Sequence, residues 1–253
     1  DYFQNEGYIV KSVFTIFQRG HMDYKRFLQK GIEYNYLIRR PISLSTKLLE
    51  LIPYNPIFFK IDTIATQKKS NLIVSVDTPN VNNFKKIVIK CGPHIAGLKV
   101  HLDIFPELER AEVRDFLVIQ KKKQGFFVIE DRKFADICAT NLQQMEALQV
   151  KTYADIVICH GIAGFEFSRQ VQLPVLLVAQ LSTKDNLISR EYTKQCVIEA
   201  KKNHNIIGFI SQENLGYAKC MYIKPGIRFG STEDAYDQQY SGVTTGIDFY
   251  IVG

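Results

Sequence analysis

Between Glu130 and Ile137 the chain reads Glu130-Asp131-Arg132-Lys133-Phe134-Ala135-Asp136-Ile137, with Asp131, Lys133 and Asp136 carrying charges of alternating sign. An ammonium held between carboxylates can stabilise negative charge developing on a substrate and can deliver a proton to it. The segment follows the apolar run Phe126-Phe127-Val128-Ile129, so Asp131 and Lys133 sit where a buried strand surfaces, and Asp136 comes after the chain has begun to turn away. A plainer reading stays open: a strand-to-helix junction in which Asp131 caps the next helix and Lys133 is a solvated salt-bridge partner. Lys99 is a second candidate. It lies within Gly97-Leu98-Lys99-Val100-His101-Leu102-Asp103, flanked by apolar residues, where an ammonium must reach a counter-charge or bear a desolvation cost of several kcal/mol. Asp77 and Asp131, each at the end of an apolar run, are the expected partners.

The elements that must position these groups follow a single repeating theme. Apolar runs of strand length occur at Leu72–Val76, Ala96–Val100, Phe126–Ile129, Ala154–Ile158, Val175–Ala179, Ile206–Ile210, Cys220–Ile223 and Ile247–Val252, each separated from the next by room for a helix and two loops. Near-continuous apolar strands alternating with helices predict a parallel sheet covered on its outer face. Eight such units predict a (β/α)8 barrel, in which chemistry gathers at the C-terminal strand ends. Polar residues do follow the runs there: Asp77, then Lys99 and His101, then Asp131 and Lys133, then His160, then Gln180 and Ser182, then Ser211 and Gln212, then Pro225 and Gly226. His160 and Gln212 read as structural.

Residues 1–52 have a shorter α/β rhythm. Ile9–Phe17 is a strand candidate, Asp23 is placed to cap a helix over Tyr24–Gln29, Ile32–Ile38 alternates like a second strand, and Ser43–Ile52 reads as a helix. Two strands and two helices do not close a core, so this part is expected to be the edge of a larger sheet. Pro53-Tyr54-Asn55-Pro56 breaks the pattern and is the expected linker, with the barrel over 57–253 beginning in a helix at Ile57–Ala65.

Composition removes several alternatives. No apolar run approaches bilayer length, so no membrane partner is expected. The net charge of +6 is spread among interspersed acids, and Lys121-Lys122-Lys123 before a glycine reads as the last turn of a helix, so nucleic-acid binding is not expected. Five cysteines, odd in number, widely spaced and without C-x-x-C, fit a reducing, cytoplasmic setting rather than a disulfide framework or a metal site.

The Glu130–Ile137 string, with Leu72–Asp77, Leu98–Asp103, Gln180-Leu181-Ser182, Ile207–Ile210, Pro225-Gly226-Ile227 and Gln238-Gln239-Tyr240, resembles orotidine 5'-phosphate decarboxylase over essentially the whole barrel. Residues from Glu6-Gly7-Tyr8 through Gly31-Ile32 resemble the tail of an orotate phosphoribosyltransferase, and the two together resemble a bifunctional UMP synthase. The resemblance implies a cofactor-independent decarboxylase with Lys133 as proton donor, Lys99, Asp131 and Asp136 completing the charge array, and Asp136 reaching across from a second subunit of a homodimer. It implies that Asp77 and Lys99 hold ribose hydroxyls with His101 nearby. Ile137 and Thr140 would contribute at the shared interface, Ser182 would read the pyrimidine edge, Pro225 would line the site, Gln238 would bridge base and phosphate, and Tyr240 would close on the phosphate. No metal is implied.

The chain departs from that family at several points. It stops at Tyr250-Ile251-Val252-Gly253, before the family's phosphate-gripping arginine and last helix. Asp237 stands where the family has glycine, and Cys138-Ala139 replaces Gly-Asn before Thr140. A fragment, or a silent nucleotide-binding remnant, is therefore the alternative expectation. A related barrel acting on a sugar phosphate with Mg²⁺ is a third, against which Ser182 and Gln238 argue.

Overall fold

The structure, a computed structural model, describes residues 42–227 and 242–253. The strand and helix candidates before residue 42 lie outside the described residues, as do Asp237, Gln238 and Tyr240.

Eight parallel strands close into a barrel in sequence order: β1 Leu72–Ser75, β2 Gly97–Val100, β3 Phe127–Phe134, β4 Ile156–Cys159, β5 Val175–Val178, β6 Ile206–Ile210, β7 Met221–Lys224 and β8 Phe249–Val252. Each of the eight apolar runs overlaps a strand, because a strand buried on both faces needs mostly apolar side chains. One set of side chains, among them Ile73, Phe127, Ile129, Leu176, Ile223 and Phe249, fills the barrel. The alternate set, including Val74, Val100, Val128, Val157 and Tyr222, packs outward under the helices. Gly97 lies on the inner face of β2 because a Cβ there would stand 2.5 Å from the Phe127 ring.

The helices are α1 Ile42–Leu51, α2 Ile57–Lys68, α3 Val81–Cys91, α4 Glu107–Gln124, α5 Cys138–Ala147, α6 Val150–Tyr153, α7 Glu166–Gln170 and α8 Arg190–Ala200. Local chemistry sets several of their ends. Asn80 and Ser189 cap α3 and α8 by accepting from backbone N–H groups, and Gly125 in the left-handed region ends α4. Lys121, Lys122 and Lys123 lie in the last turn of α4, as expected, but Lys121 turns inward: its ammonium donates to the Tyr153 carbonyl at 2.7 Å and pairs with Asp155 at 3.2 Å.

The sequence expectation also fails in the connection from β6 to β7, where residues 211–220 form no helix. Ten residues hold two loops or one helix, not both. The turn at Pro53–Pro56, expected as a linker, joins two helices that pack together across the N-terminal end of the barrel. Leu48 and Leu51 of α1 and Phe58, Ile61 and Ala65 of α2 belong to the same cluster as the barrel interior. Lys47 reaches Asp248 and Lys60 reaches Asp155, each at 2.6 Å. That end is closed by apolar packing, which leaves the opposite mouth for chemistry. No helix of the described residues is long and apolar enough to cross a membrane.

Candidate active site

The strand that carries the charged string is longer than its apolar run. β3 continues through Asp131, Arg132 and Lys133 to Phe134, whereas the sequence suggests an end near Ile129. Its pairing with β4 slips on the way: Glu130 stands opposite Val157 and Phe134 opposite Cys159, so three residues of β3 face one of β4. A bulge of this kind bends and re-aims a strand, and here it falls at Asp131–Lys133. Lys133 adopts φ 51°, the left-handed region that favours glycine. Asp131 is thus a strand residue rather than a helix cap.

Asp131 is 2% exposed, and its Oδ2 gathers three donors. The Lys99 ammonium from β2 donates to it in a close ion pair, Lys133 Nζ donates at 2.9 Å, and His101 Nε2 lies 3.2 Å away. His101 also lies 3.2 Å from Lys99 Nζ and 3.8 Å from Asp77 Oδ1. Asp77, half exposed at the end of β1, accepts from Ser75 Oγ at 2.9 Å. Of the two acids expected to meet Lys99, Asp131 is therefore the direct partner. Burial opposes the charge on Asp131, yet Lys99, the His101 hydrogen bond and Lys133 outweigh it and hold the carboxyl far below the ordinary carboxylate range. Burial likewise opposes the Lys99 ammonium, and Asp131, then Asp77, overcome it and raise its pKa. A carboxylate and two ammonium groups are therefore fixed, ionised and partly dehydrated, before any substrate arrives.

The remaining expected residues divide into those near this array and those apart from it. Ser182 is buried after β5, and Pro225 is partly buried after β7. Asp136 is exposed and forms no ion pair among the described residues; its Oδ1 accepts from Ile137 N at 2.7 Å, and its backbone is held by Asn141. Ile137 is 62% exposed and Thr140 partly so, both at the start of α5. Within one chain, Asp136 does not pair with Lys133. His160, read as structural, is closer to the chemistry than its sequence suggests: burial and then the Lys133 charge lower its pKa, so a neutral imidazole stands near the array. Its signal was its place at the end of the fourth apolar run.

Behind the array, on the outer face of β3, Glu130 is fully buried. Its Oε2 accepts from Tyr153 Oη at 2.7 Å and from Leu102 N at 3.2 Å. Arg132 pairs with Asp103 at 2.9 Å beside it. His101, Asp103 and Glu130 bring potential metal-ligand atoms within 4.8 Å of one another, but Arg132 already pairs with Asp103, and Tyr153 and Leu102 N already donate to one oxygen of Glu130. The group reads as a hydrogen-bonded support.

Fold and site together define a barrel protein of the enzyme type, whose C-terminal mouth is preorganised to stabilise a negative charge beside an ammonium. The family model described as "Orotidine 5'-phosphate decarboxylase / HUMPS family" matches residues 70–253, and the chain belongs to that family. The orotidine 5'-phosphate decarboxylases of Cyberlindnera fabianii and Saccharomycopsis fibuligera are 32% and 33% identical to it over 220 and 221 residues, each alignment covering 79% of this chain and 83% of the relative. The solved orotidine 5'-monophosphate decarboxylase of Sulfolobus solfataricus shares the fold with a TM-score of 0.53 at 21% identity, over 73% of this chain and 88% of that one.

Proposed function

We propose that the chain decarboxylates orotidine 5'-phosphate to UMP in pyrimidine biosynthesis, with Lys133 as the proton donor. Family membership and the two relatives named above support the reaction. The observation that carries the residue roles is the convergence of Lys99, Lys133 and His101 on one oxygen of Asp131. In the reaction the bond between C6 and the carboxyl carbon breaks, its electron pair stays on C6, CO2 departs, and an N–H proton of Lys133 passes to C6. Solvent then restores the lysine. The array of fixed charges does not have to reorganise as the carbanion forms, which is where most of its catalytic value lies.

Asp131 and Asp136 of the partner subunit flank the leaving carboxylate in this reading. Two such charges about 4 Å apart repel by roughly 4 kcal/mol at an effective dielectric near 20, and CO2 loss relieves that repulsion. Exposed Asp136 and Ile137, held at the start of α5 away from their own Lys133, fit a homodimer with shared sites. Asp77, Lys99 and His101 then hold ribose hydroxyls, Thr140 and Ile137 contribute at the interface, Ser182 reads the base, and Pro225, Gln238 and Tyr240 line the base and phosphate sides. Of residues 1–52, those that precede α1 are proposed to be the end of an orotate phosphoribosyltransferase domain in a bifunctional, cytoplasmic UMP synthase. The test is direct: mixing the purified chain with orotidine 5'-phosphate at pH 7 produces the loss of substrate ultraviolet absorbance. A flat trace at micromolar enzyme overturns the reading.

A further inference from the structure

Glu130 is the one carboxylate of the charged string that points away from the mouth, because adjacent strand residues face opposite sides. It is fully buried, and its two hydrogen bonds tie together three separate pieces of chain. It sits on β3 immediately before Asp131. It accepts from Leu102 N, the residue after His101 on the segment leaving β2, and from the Tyr153 hydroxyl at the end of α6. Its other oxygen, Oε1, has no partner and no solvent. An ionised carboxylate in that position would leave half its charge without a donor, whereas a neutral acid loses much less by such burial. Asp131, one residue away, is already ionised beside the Lys99 and Lys133 ammonium groups, so a second charge behind the same strand would oppose it.

We infer that Glu130 is a positioning residue for the decarboxylation: as a neutral carboxylic acid it clamps the segment carrying His101 to the strand carrying Asp131 and Lys133. The inference rests on the reaction proposed above. Burial raises its pKa to about 8, against the Tyr153 and Leu102 hydrogen bonds, which favour the ionised form. The charged and titratable groups around it are Asp103 of the turn after β2 and Asp131 of its own strand, both of which disfavour its ionisation, Lys99 of β2, whose ammonium attracts a negative charge there, and His101, which has a ring nitrogen within 4.8 Å. Arg114 of α4 acts on Tyr153. Ionisation of Glu130 at alkaline pH would set a like charge beside Asp131 and leave the charge on Oε1 without a donor, so activity should fall as pH rises through this range.

Three variants test the clamp by kcat and KM for orotidine 5'-phosphate between pH 6 and 9.5. Glu130→Gln keeps an acceptor for both donors and cannot ionise: kcat at pH 6.5 stays within threefold of the wild type, and the alkaline fall centred near pH 8 disappears. Glu130→Leu removes the acceptor, and kcat drops at least tenfold. Tyr153→Phe removes a hydrogen bond that favours the ionised form, and the alkaline fall moves to higher pH. An unchanged alkaline limb in Glu130→Gln, or an unmoved or acid-shifted limb in Tyr153→Phe, overturns the inference, and so does wild-type kcat in a folded Glu130→Leu. If Glu130→Leu does not fold, the other two variants decide. Infrared difference spectra add a readout independent of turnover: the band of a protonated buried carboxyl at pH 6.5 is present in the wild type and absent from Glu130→Gln. A wild type without turnover sinks the functional reading, while a missing infrared band sinks the neutral clamp.

Discussion

Replacing Asp131 with asparagine removes the charge on which the whole mouth converges, and its cost can be worked from the geometry. Lys99 and Asp131 are both buried, at 9% and 3% side-chain exposure, so solvent screens their attraction little. For ions about 3 Å apart at an effective dielectric of about 20, that attraction is roughly 5 kcal/mol. The asparagine leaves the Lys99 ammonium desolvated with only the more distant Asp77 as counter-charge, a situation that costs about 3–5 kcal/mol when one partner of a buried pair is deleted. Urea unfolding at pH 7 should show Asp131→Asn destabilised by that amount with an unchanged m-value. Removing both ions in Lys99→Met/Asp131→Asn should return about 1 kcal/mol or more of the loss, since the lone buried charge is gone. The sign of the pH dependence is fixed as well. The folded carboxyl is depressed, so its contribution is present above the ordinary carboxylate pKa and is lost as pH falls; the gap between wild type and variant therefore narrows in acid. A single variant costing under about 1 kcal/mol, or a double variant no better than the sum of the singles, refutes the buried lattice.

Other outcomes follow from the same coordinates. Lys133→Ala should abolish turnover while leaving the fold intact by circular dichroism, and mixing it with Asp136→Ala should restore part of the activity if hybrid dimers assemble one complete site; near-normal turnover of Lys133→Ala refutes the donor role. Glu130→Gln should abolish a pH-dependent term in stability. The folded pKa of Glu130 is raised to about 8, so wild-type stability falls between pH 5 and 8 by up to about 1.4 kcal/mol per pH unit, and the variant's does not. Parallel curves in thermal unfolding across that window would contradict it. Gly97→Ala places a Cβ 2.5 Å from the Phe127 ring and should cost about 1–3 kcal/mol through overpacking of the barrel interior, read from the shift in urea midpoint.

The barrel was legible in the sequence because each strand is buried on both sides and leaves an uninterrupted apolar run, as in Val175-Leu176-Leu177-Val178. The Lys99–Asp131 pair was legible for a related reason: a lysine within an apolar strand has few places to put its charge. What escaped was whatever depends on packing between distant segments. β3 extends through Asp131–Phe134 because its pairing with β4 slips, and a charged string gives no local sign of that. Glu130 was passed over as one more charge, although strict alternation with Asp131 places it on the opposite face. Helix α1 was set apart by the prolines that follow it, yet Leu48 and Leu51 plug the barrel floor. His160 read as structural because a lone histidine at a strand end is ordinary without knowledge of its neighbour Lys133.

Lys133 holds a backbone angle that glycine would take without strain, at a cost of order 1–3 kcal/mol for a side-chain-bearing residue. Folding and turnover therefore make opposing demands on one position. A library of variants screened for heat resistance alone should accumulate Lys133→Gly, gaining robustness by discarding the reaction. Breeding a hardier version of this catalyst requires that survivors be asked to consume substrate in every round.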